Sequence, residues 1–310
     1  MSRKNKLKLV INLLLINSLL FIFMGIIFAT LALFSWGVGD FLIQKSTRRL
    51  GDLVALFYVT AFGGLVLLPF VFKDFYQLLK DQPEDLAILF LTALIIMIAA
   101  ILDFKALRVG KISVVEPIFA FEVPITVILG MIFIGEFLNL SQLVLMFFLV
   151  LGIILIAIKH FSDFKNIKVE AGVWLALGAT AGMGIVNFLF GLSARQTSPL
   201  MINWFISVFI AFILFCYFVF SHKLHTIAEV WQNNKMLIFA VSLIDNLAWL
   251  FFAAATLYIP IAIATGFSES YIALAAGLGL IFNKEKLQPH QWIGLFLVVS
   301  AVFFLALVTI

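Results

Sequence analysis

Acidic side chains interrupt several long apolar runs of this sequence. They are Asp40, Glu116, Glu122, Asp245 and Glu269, and no Lys or Arg accompanies them within those runs. A charge near the centre of a bilayer costs at least about 2.5–3.5 kcal/mol, so five carboxyls without basic partners require an explanation. They could take up protons, or they could hold a cationic group of a substrate. The alternative is that a carboxyl stays wet near a helix end, which applies most to Asp40, or bonds to a neighbouring hydroxyl or amide.

Helical spacing ranks these acids as candidates for a binding site. Asp245 and Trp249 are four residues apart and share a helix face, which pairs a carboxylate with an aromatic ring that can contact a cation. Glu116 and Glu122 are six residues apart, about 120° around a regular helix, so they form a pair only if prolines bend that helix. The main candidates are Glu269, Glu122 and Asp245, in that order.

The elements that hold these acids must be membrane helices. Hydrophobic residues make up 64% of the 310 residues and charged residues 12%, with a mean hydropathy of +1.20, whereas soluble proteins have about 45–50% and 25%. About 20 apolar residues cross a bilayer as a helix, and the chain divides into ten such segments. The acids lie in the first run and in residues 112–135, 236–258 and 260–283. We therefore predict an all-α, multi-pass integral protein of the cell membrane.

Charge and histidine placement exclude two other classes of function. The net charge of +4 comes from loops, and no basic run interleaved with aromatics is long enough to follow a phosphate backbone. We expect the lipid bilayer as a partner and no nucleic acid. The four histidines have no metal-ligand spacing, so we expect no metal and no cofactor.

The second half of the chain repeats the first. A shift of 149 positions places Gly130 on Gly279, Glu136 on Glu285 and Leu138 on Leu287, and a shift near 147 places residues 40–42 on 187–189. Five spans then fall in residues 24–158 and five in residues 171–310, joined by a loop over 159–170. Because five is odd, the two copies must cross the membrane in opposite directions. Inverted repeats are typical of secondary transporters, in which a site between the halves faces either side alternately.

The repeat also relates candidate residues to one another. Glu122 falls on Tyr271 and Glu269 falls on Ala120, so the two carboxyls should lie within one turn of symmetry-related positions. Trp36 and Asn187 lie on the first span of each half. The full set predicted to bind substrate or protons is Glu269, Glu122, Asp245, Glu116, Trp249, Tyr271, Trp36, Asn187 and Asp40.

The chain resembles the drug/metabolite transporter superfamily, in its ten-helix EamA-type branch. The matching stretches are residues 32–37, 106–113 and 122–127, continuing to 135–138 and Gln142. The resemblance implies two five-helix bundles around a central cavity, with the fifth and tenth helices peripheral. It also implies transport, often export, of small metabolites, amino acids or drugs, commonly coupled to protons.

The amino end and the orientation each leave two interpretations. Residues 1–23 form an N-terminal extension that either lies along the membrane interface or lengthens the first helix, unless the native start is Met24. Loops opposite the amino end carry 13 of the 20 Lys and Arg residues, which by the positive-inside rule places both termini outside the cytoplasm. The resemblance implies both termini in the cytoplasm.

We therefore predict a proton-linked exporter of a small metabolite, amino acid or drug-like amine. Both a monomer and a homodimer are compatible with the sequence. One alternative is a facilitative carrier of neutral or nucleotide-linked sugars without proton coupling. Another is an intramembrane aspartyl protease, because residues 37–40 spell GxGD and Asp103 or Asp245 could be its second acid. Similar proteases carry Tyr-Asp and Pro-Ala-Leu motifs that this sequence lacks, so we expect no enzymatic activity.

Overall fold

A computed structural model describes residues 3–134, 139–160 and 168–309, and almost all of them are helical. The helices of the first half are α1 (Arg3–Leu50), α2 (Asp52–Asp81), α3 (Asp85–Val109), α4 (Ile112–Phe119), α5 (Glu122–Ile134) and α6 (Leu140–Ala157). Those of the second half are α7 (Val173–Gln196), α8 (Pro199–Phe220), α9 (Leu224–Tyr258), α10 (Ile261–Ser268), α11 (Tyr271–Phe282) and α12 (Pro289–Thr309). Between the halves, β1 (Ile158–His160) and β2 (Lys168–Val169) form a short antiparallel pair.

These helices form the ten membrane spans. Within the described residues, eight helical segments are long and apolar enough to cross a bilayer, and two of them are the broken spans α4–α5 and α10–α11. The other two spans are α6, with a shorter apolar stretch over Leu143–Ile156, and α12. Each half contributes five spans, so the halves are inverted, as the sequence predicts. α1 is one continuous helix from its first described residue.

The two halves pack on each other through equivalent helices. α1 packs against α9, and α3 packs against α7. These two contacts are equivalent, because the repeat relates α1 to α7 and α3 to α9. α2 packs against α8, its own equivalent, and α6 packs mainly against α12. This last pair comes close at Gly152 and Gly294, where a Cβ on either glycine would lie within 3 Å of the other's carbonyl oxygen. The molecule is therefore a pseudo-symmetric pair of bundles whose centre lies among α1, α3, α7 and α9.

Equivalent arginines bind helix ends on opposite faces. The Arg48 Nη2 donates to Gly110 O at 2.5 Å, just after α3, while Arg195 donates to Thr256 O at 2.8 Å and Ile259 O at 3.0 Å at the end of α9. The last carbonyls of a helix have no partner within it. Each arginine therefore satisfies carbonyls that the membrane interface would otherwise leave exposed.

Glu285 joins the halves at the face where α1 ends. Its carboxylate accepts from Ile112 N at 3.1 Å, from Ser113 N at 2.9 Å and from Ser113 Oγ at 2.6 Å. These groups begin α4, so a residue of the second half caps a helix of the first. Lys111 beside it pairs with Glu170 at 3.0 Å. Glu136, the repeat equivalent of Glu285, lies outside the described residues, as do the other residues of 135–138.

Candidate functional site

Both broken spans are interrupted at equivalent positions in the middle of the molecule. α4 ends at Phe119 and α5 begins at Glu122, while α10 ends at Ser268 and α11 begins at Tyr271. The shift of 149 relates each pair of ends. Glu122 is therefore the first residue of one half-helix, and Glu269 lies in the turn before the other. Discontinuous helices of this kind form the ion and substrate sites of many transporters with inverted repeats.

A cavity lies beside the two breaks, between the halves. Its volume is about 90 Å³. Its carboxyl groups belong to Asp40, Asp103, Glu122, Asp245 and Glu269, and its other polar side chains to Thr60, Asn187, Asn203, Ser207, Asn246 and Tyr271. No Lys, Arg or His, and no residue of α6 or α12, is found among the described residues that line it.

Eight of the nine sequence candidates line this one cavity, and Glu116 does not. Glu116 is fully buried in α4, and neither of its oxygens has a hydrogen-bond partner among the described residues. The Tyr271 hydroxyl lies close to it and to the Asp40 carboxyl. Asp40 is itself buried on α1 rather than wet beside the following loop. Whether these residues bind substrate or protons stays a prediction.

Asn187 connects the carboxyls of the two breaks. Its Nδ2 donates to Glu122 Oε2 at 2.9 Å, and the same side chain interacts with Glu269. Glu269 is only 3% exposed, and its Oε2 has no partner among the described residues. Two carboxyls, one from each half, therefore face one amide donor in the wall of the cavity.

Three aspartates form a second acidic group in the same cavity. Asp40 from α1, Asp103 from α3 and Asp245 from α9 are close enough for their charges to repel one another. The Oδ1 of Asp103 is buried without a hydrogen-bond partner in the described structure.

Asp103 was not among the predicted site residues, because it directly follows the charge-free run of residues 86–102. That run has only 17 residues, fewer than the roughly 20 that cross a bilayer. The shortfall was a usable sign that the span extends to Asp103, and α3 indeed continues to Val109.

Aromatic rings form one wall of the cavity. Trp36 meets Trp249 edge to face with ring centroids 5.1 Å apart, and Phe190 packs on Trp249 at 4.8 Å. Tyr271 lies 5.8 Å from Trp36. Asp245 and Trp249 do face the same space, as their spacing predicts, so carboxyls and π-electron faces line one compartment.

The GxGD sequence has a packing explanation in this fold. A Cβ at Gly37 would lie 2.6 Å from the side chain of Leu274, and one at Gly39 would contact Ile244 at 3.6 Å. Gly37 therefore lets α1 approach α11 closely, as small residues do between membrane helices.

The fold and the cavity define an integral membrane protein built from an inverted repeat, and comparison with known proteins identifies its family. Residues 23–158 and 170–307 each match the model of the EamA-like transporter family. The chain belongs to this family. It is a multi-pass transporter of the drug/metabolite type in the cell membrane, and its family indicates a transporter rather than an enzyme.

Two further likenesses concern the fold and the repeat. A solved crystal structure superposes on 92% of this chain and 96% of its own with a TM-score of 0.61, at 11% sequence identity, and so shares the fold. An uncharacterized protein of Methanocaldococcus jannaschii is 26% identical over 136 residues, which are 44% of this chain and 98% of that protein. That relative therefore has about the length of one repeat.

Proposed function

We propose that the chain is a proton-linked secondary transporter that exports a small metabolite, an amino acid or a drug-like amine. The observation that carries the proposal is the pair of carboxyls at the two helix breaks, Glu122 and Glu269, which share Asn187 beside a cavity without a basic side chain among its described residues. The direction of transport rests on the resemblance, since related transporters are often exporters.

Competition for the same carboxyls provides the coupling. A buried carboxylate is stable when it is neutralised by a proton or paired with a cation. A proton and a cationic substrate group therefore exclude each other at Glu269 and Glu122. If the halves exchange conformations, protons bind from one side and the substrate from the other, and each passage of substrate returns protons.

Reconstitution with one matched pair of variants tests this proposal. Candidate substrates are first selected by thermal shift from a panel of amino acids, amines and nucleosides at about pH 6 and pH 8, on either side of neutrality. Vesicles with an acidic lumen should then accumulate the selected compound while the lumen becomes more alkaline. Glu269→Gln should abolish both signals, whereas Glu229→Gln, the same change at an exposed position of α9, should retain them.

Two outcomes would contradict the proposal. Unchanged pH-driven uptake by correctly inserted Glu269→Gln would remove that residue from the coupling. Uptake down the compound's own gradient, with no change of luminal pH, would instead support a facilitative carrier.

A further inference from the structure

We infer that the substrate is an organic amine that carries a positive charge and no carboxylate, and that Asp103 forms part of its ammonium site. The inference rests on the proposed function in one respect, the use of the central cavity as the substrate site. It narrows the proposed substrates, which were a small metabolite, an amino acid or a drug-like amine, to amines.

The charges of the cavity favour a cation over a zwitterion. Five carboxyls line it, and no Lys, Arg or His is present among the described lining residues. Amino-acid carboxylates are usually bound by Arg, by Lys or by free backbone N–H groups. A carboxylate in this cavity would meet charges of its own sign at low dielectric, where repulsion is strong.

The helix breaks do not supply the missing donors. A half-helix that begins at a cavity can bind an anion through its first N–H groups. Here the N–H of Val123 at the start of α5 donates to Ala120 O at 3.2 Å, and that of Ile272 at the start of α11 donates to Glu269 O at 3.2 Å. These two N–H groups are therefore already used by the chain itself, and carboxyl side chains lie beside the starts of both half-helices.

Acceptors without donors point to an ammonium group. Glu269 Oε2 and Asp103 Oδ1 are buried without hydrogen-bond partners among the described residues, and both side chains line the cavity. Buried carboxylate oxygens are rarely left unpaired. An ammonium group provides up to three N–H donors and no acceptor, which is the complement of these atoms.

The aromatic wall suits the same ligand. Trp36 and Trp249 form a corner beside Asp245, with their centroids 5.1 Å apart. A desolvated cation is attracted to the faces of such rings, and an apolar or aromatic remainder of the amine would pack on them.

One donor of the cavity wall also lacks a partner. Asn203 is 5% exposed, and its Nδ2 is unpaired in the described structure. This single neutral amide suits a hydroxyl or ether oxygen of the amine. It does not offset five carboxyls, so it provides no carboxylate site.

Amino acids and their own decarboxylation products provide the test. Binding of tryptamine and tryptophan, tyramine and tyrosine, and cadaverine and lysine is measured by calorimetry on the full-length protein in detergent. In at least one pair the amine should bind at least about tenfold more tightly than its amino acid. The inference is overturned if the amino acids bind as tightly, or if no amine binds.

Variants locate the ammonium site and separate this inference from the proposed function. Asp103→Asn should weaken amine binding by about tenfold or more, Asp103→Glu should restore part of it, and Glu84→Gln, at an exposed position just before α3, should leave it unchanged. Equal affinity of Asp103→Asn and wild type would remove Asp103 from the site. If Asp103→Asn does not fold, the affinity of Asp103→Glu for the amine decides instead whether Asp103 belongs to the site.

Amine binding without proton movement would refute the proton coupling of the proposed function and leave the inference about the substrate intact. Proton-coupled transport of an amino acid would support the proposed function and overturn the inference that the substrate is an amine.

Discussion

At the scale of single residues, Asn187 is the side chain that contacts the carboxyls at both helix breaks, Glu122 and Glu269. It lies on α7, the first helix of the second half, and its Nδ2 donates to Glu122 Oε2 of the first half at 2.9 Å. An amide can stabilise an ionised carboxylate without neutralising it, which keeps the carboxyl able to exchange its proton.

Asn187→Leu should therefore impair coupling without preventing insertion. Loss of the donor leaves the buried Glu122 carboxylate destabilised by about 1–3 kcal/mol, and we expect pH-driven uptake to fall about tenfold or more. Uptake is measured in vesicles at equal protein content, with Asn233→Leu at an exposed position of α9 as the control. Uptake equal in the two variants would remove Asn187 from the coupling site.

Spacing and burial cost predicted much of the cavity from the sequence. Acids within apolar runs are costly enough to be expected in the interior, and Asp40, Glu122, Asp245 and Glu269 do line one cavity. Glu116 belonged to the same predicted group; it does not line the cavity, although it is buried close to Tyr271, which does. The neutral hydroxyl and amide groups of Thr60, Ser207 and Asn246 do not carry the cost of a charge within the bilayer. Nothing in the sequence therefore distinguished these residues from polar residues outside the cavity.

At the scale of elements, the cap of α4 is a cross-link between halves. Glu285 accepts three hydrogen bonds from the start of α4, two of them from backbone N–H groups. Such N–H groups have no partner within their own helix. The Glu285 carboxylate therefore caps the start of α4 and connects this helix to the second half.

Glu285→Ala should lower the stability of the folded protein by about 2 kcal/mol, as expected for the loss of a charged cap. Thermal unfolding in detergent is the measurement, and Glu229→Ala, on the exposed part of α9, is the control. An unchanged midpoint for Glu285→Ala would show that the cap does not stabilise the interface.

Prolines left a bend of the fourth span open in the sequence, but nothing in the ninth span did the same. Pro117 lies inside α4 and Pro124 in the first turn of α5, so each removes a backbone donor near the interruption. The break in the ninth span, at Glu269, has no proline beside it. The repeat places Ser268 on Phe119 and so relates the two breaks, but the sequence analysis predicted no break in the ninth span.

At the scale of the whole molecule, the inverted repeat predicts which loops share a membrane face. The turn between α2 and α3 and the turn between α8 and α9 occupy the same place in each half, so they must lie on opposite faces. Gln82 and Lys223 are exposed positions in these two turns.

Single cysteines test this arrangement directly. The chain has one cysteine, Cys216, so Cys216→Ser provides the background for Gln82→Cys and Lys223→Cys. A membrane-impermeant maleimide should label one variant in intact cells and the other only after permeabilisation. Labelling of both variants from the same side would contradict the inverted repeat, and the side that is labelled also fixes the orientation of the termini.

The central claim is that protons and substrate compete for the same buried carboxyls, and proton release on binding tests it most directly. Tryptamine is added to the purified protein in a weakly buffered solution at about pH 7, and a pH dye records the protons released per amine bound. We predict release by the wild type and by Glu229→Gln, and a smaller release by Glu269→Gln at saturating amine. Saturable binding of tryptamine by the wild type with no release of protons would contradict the claim.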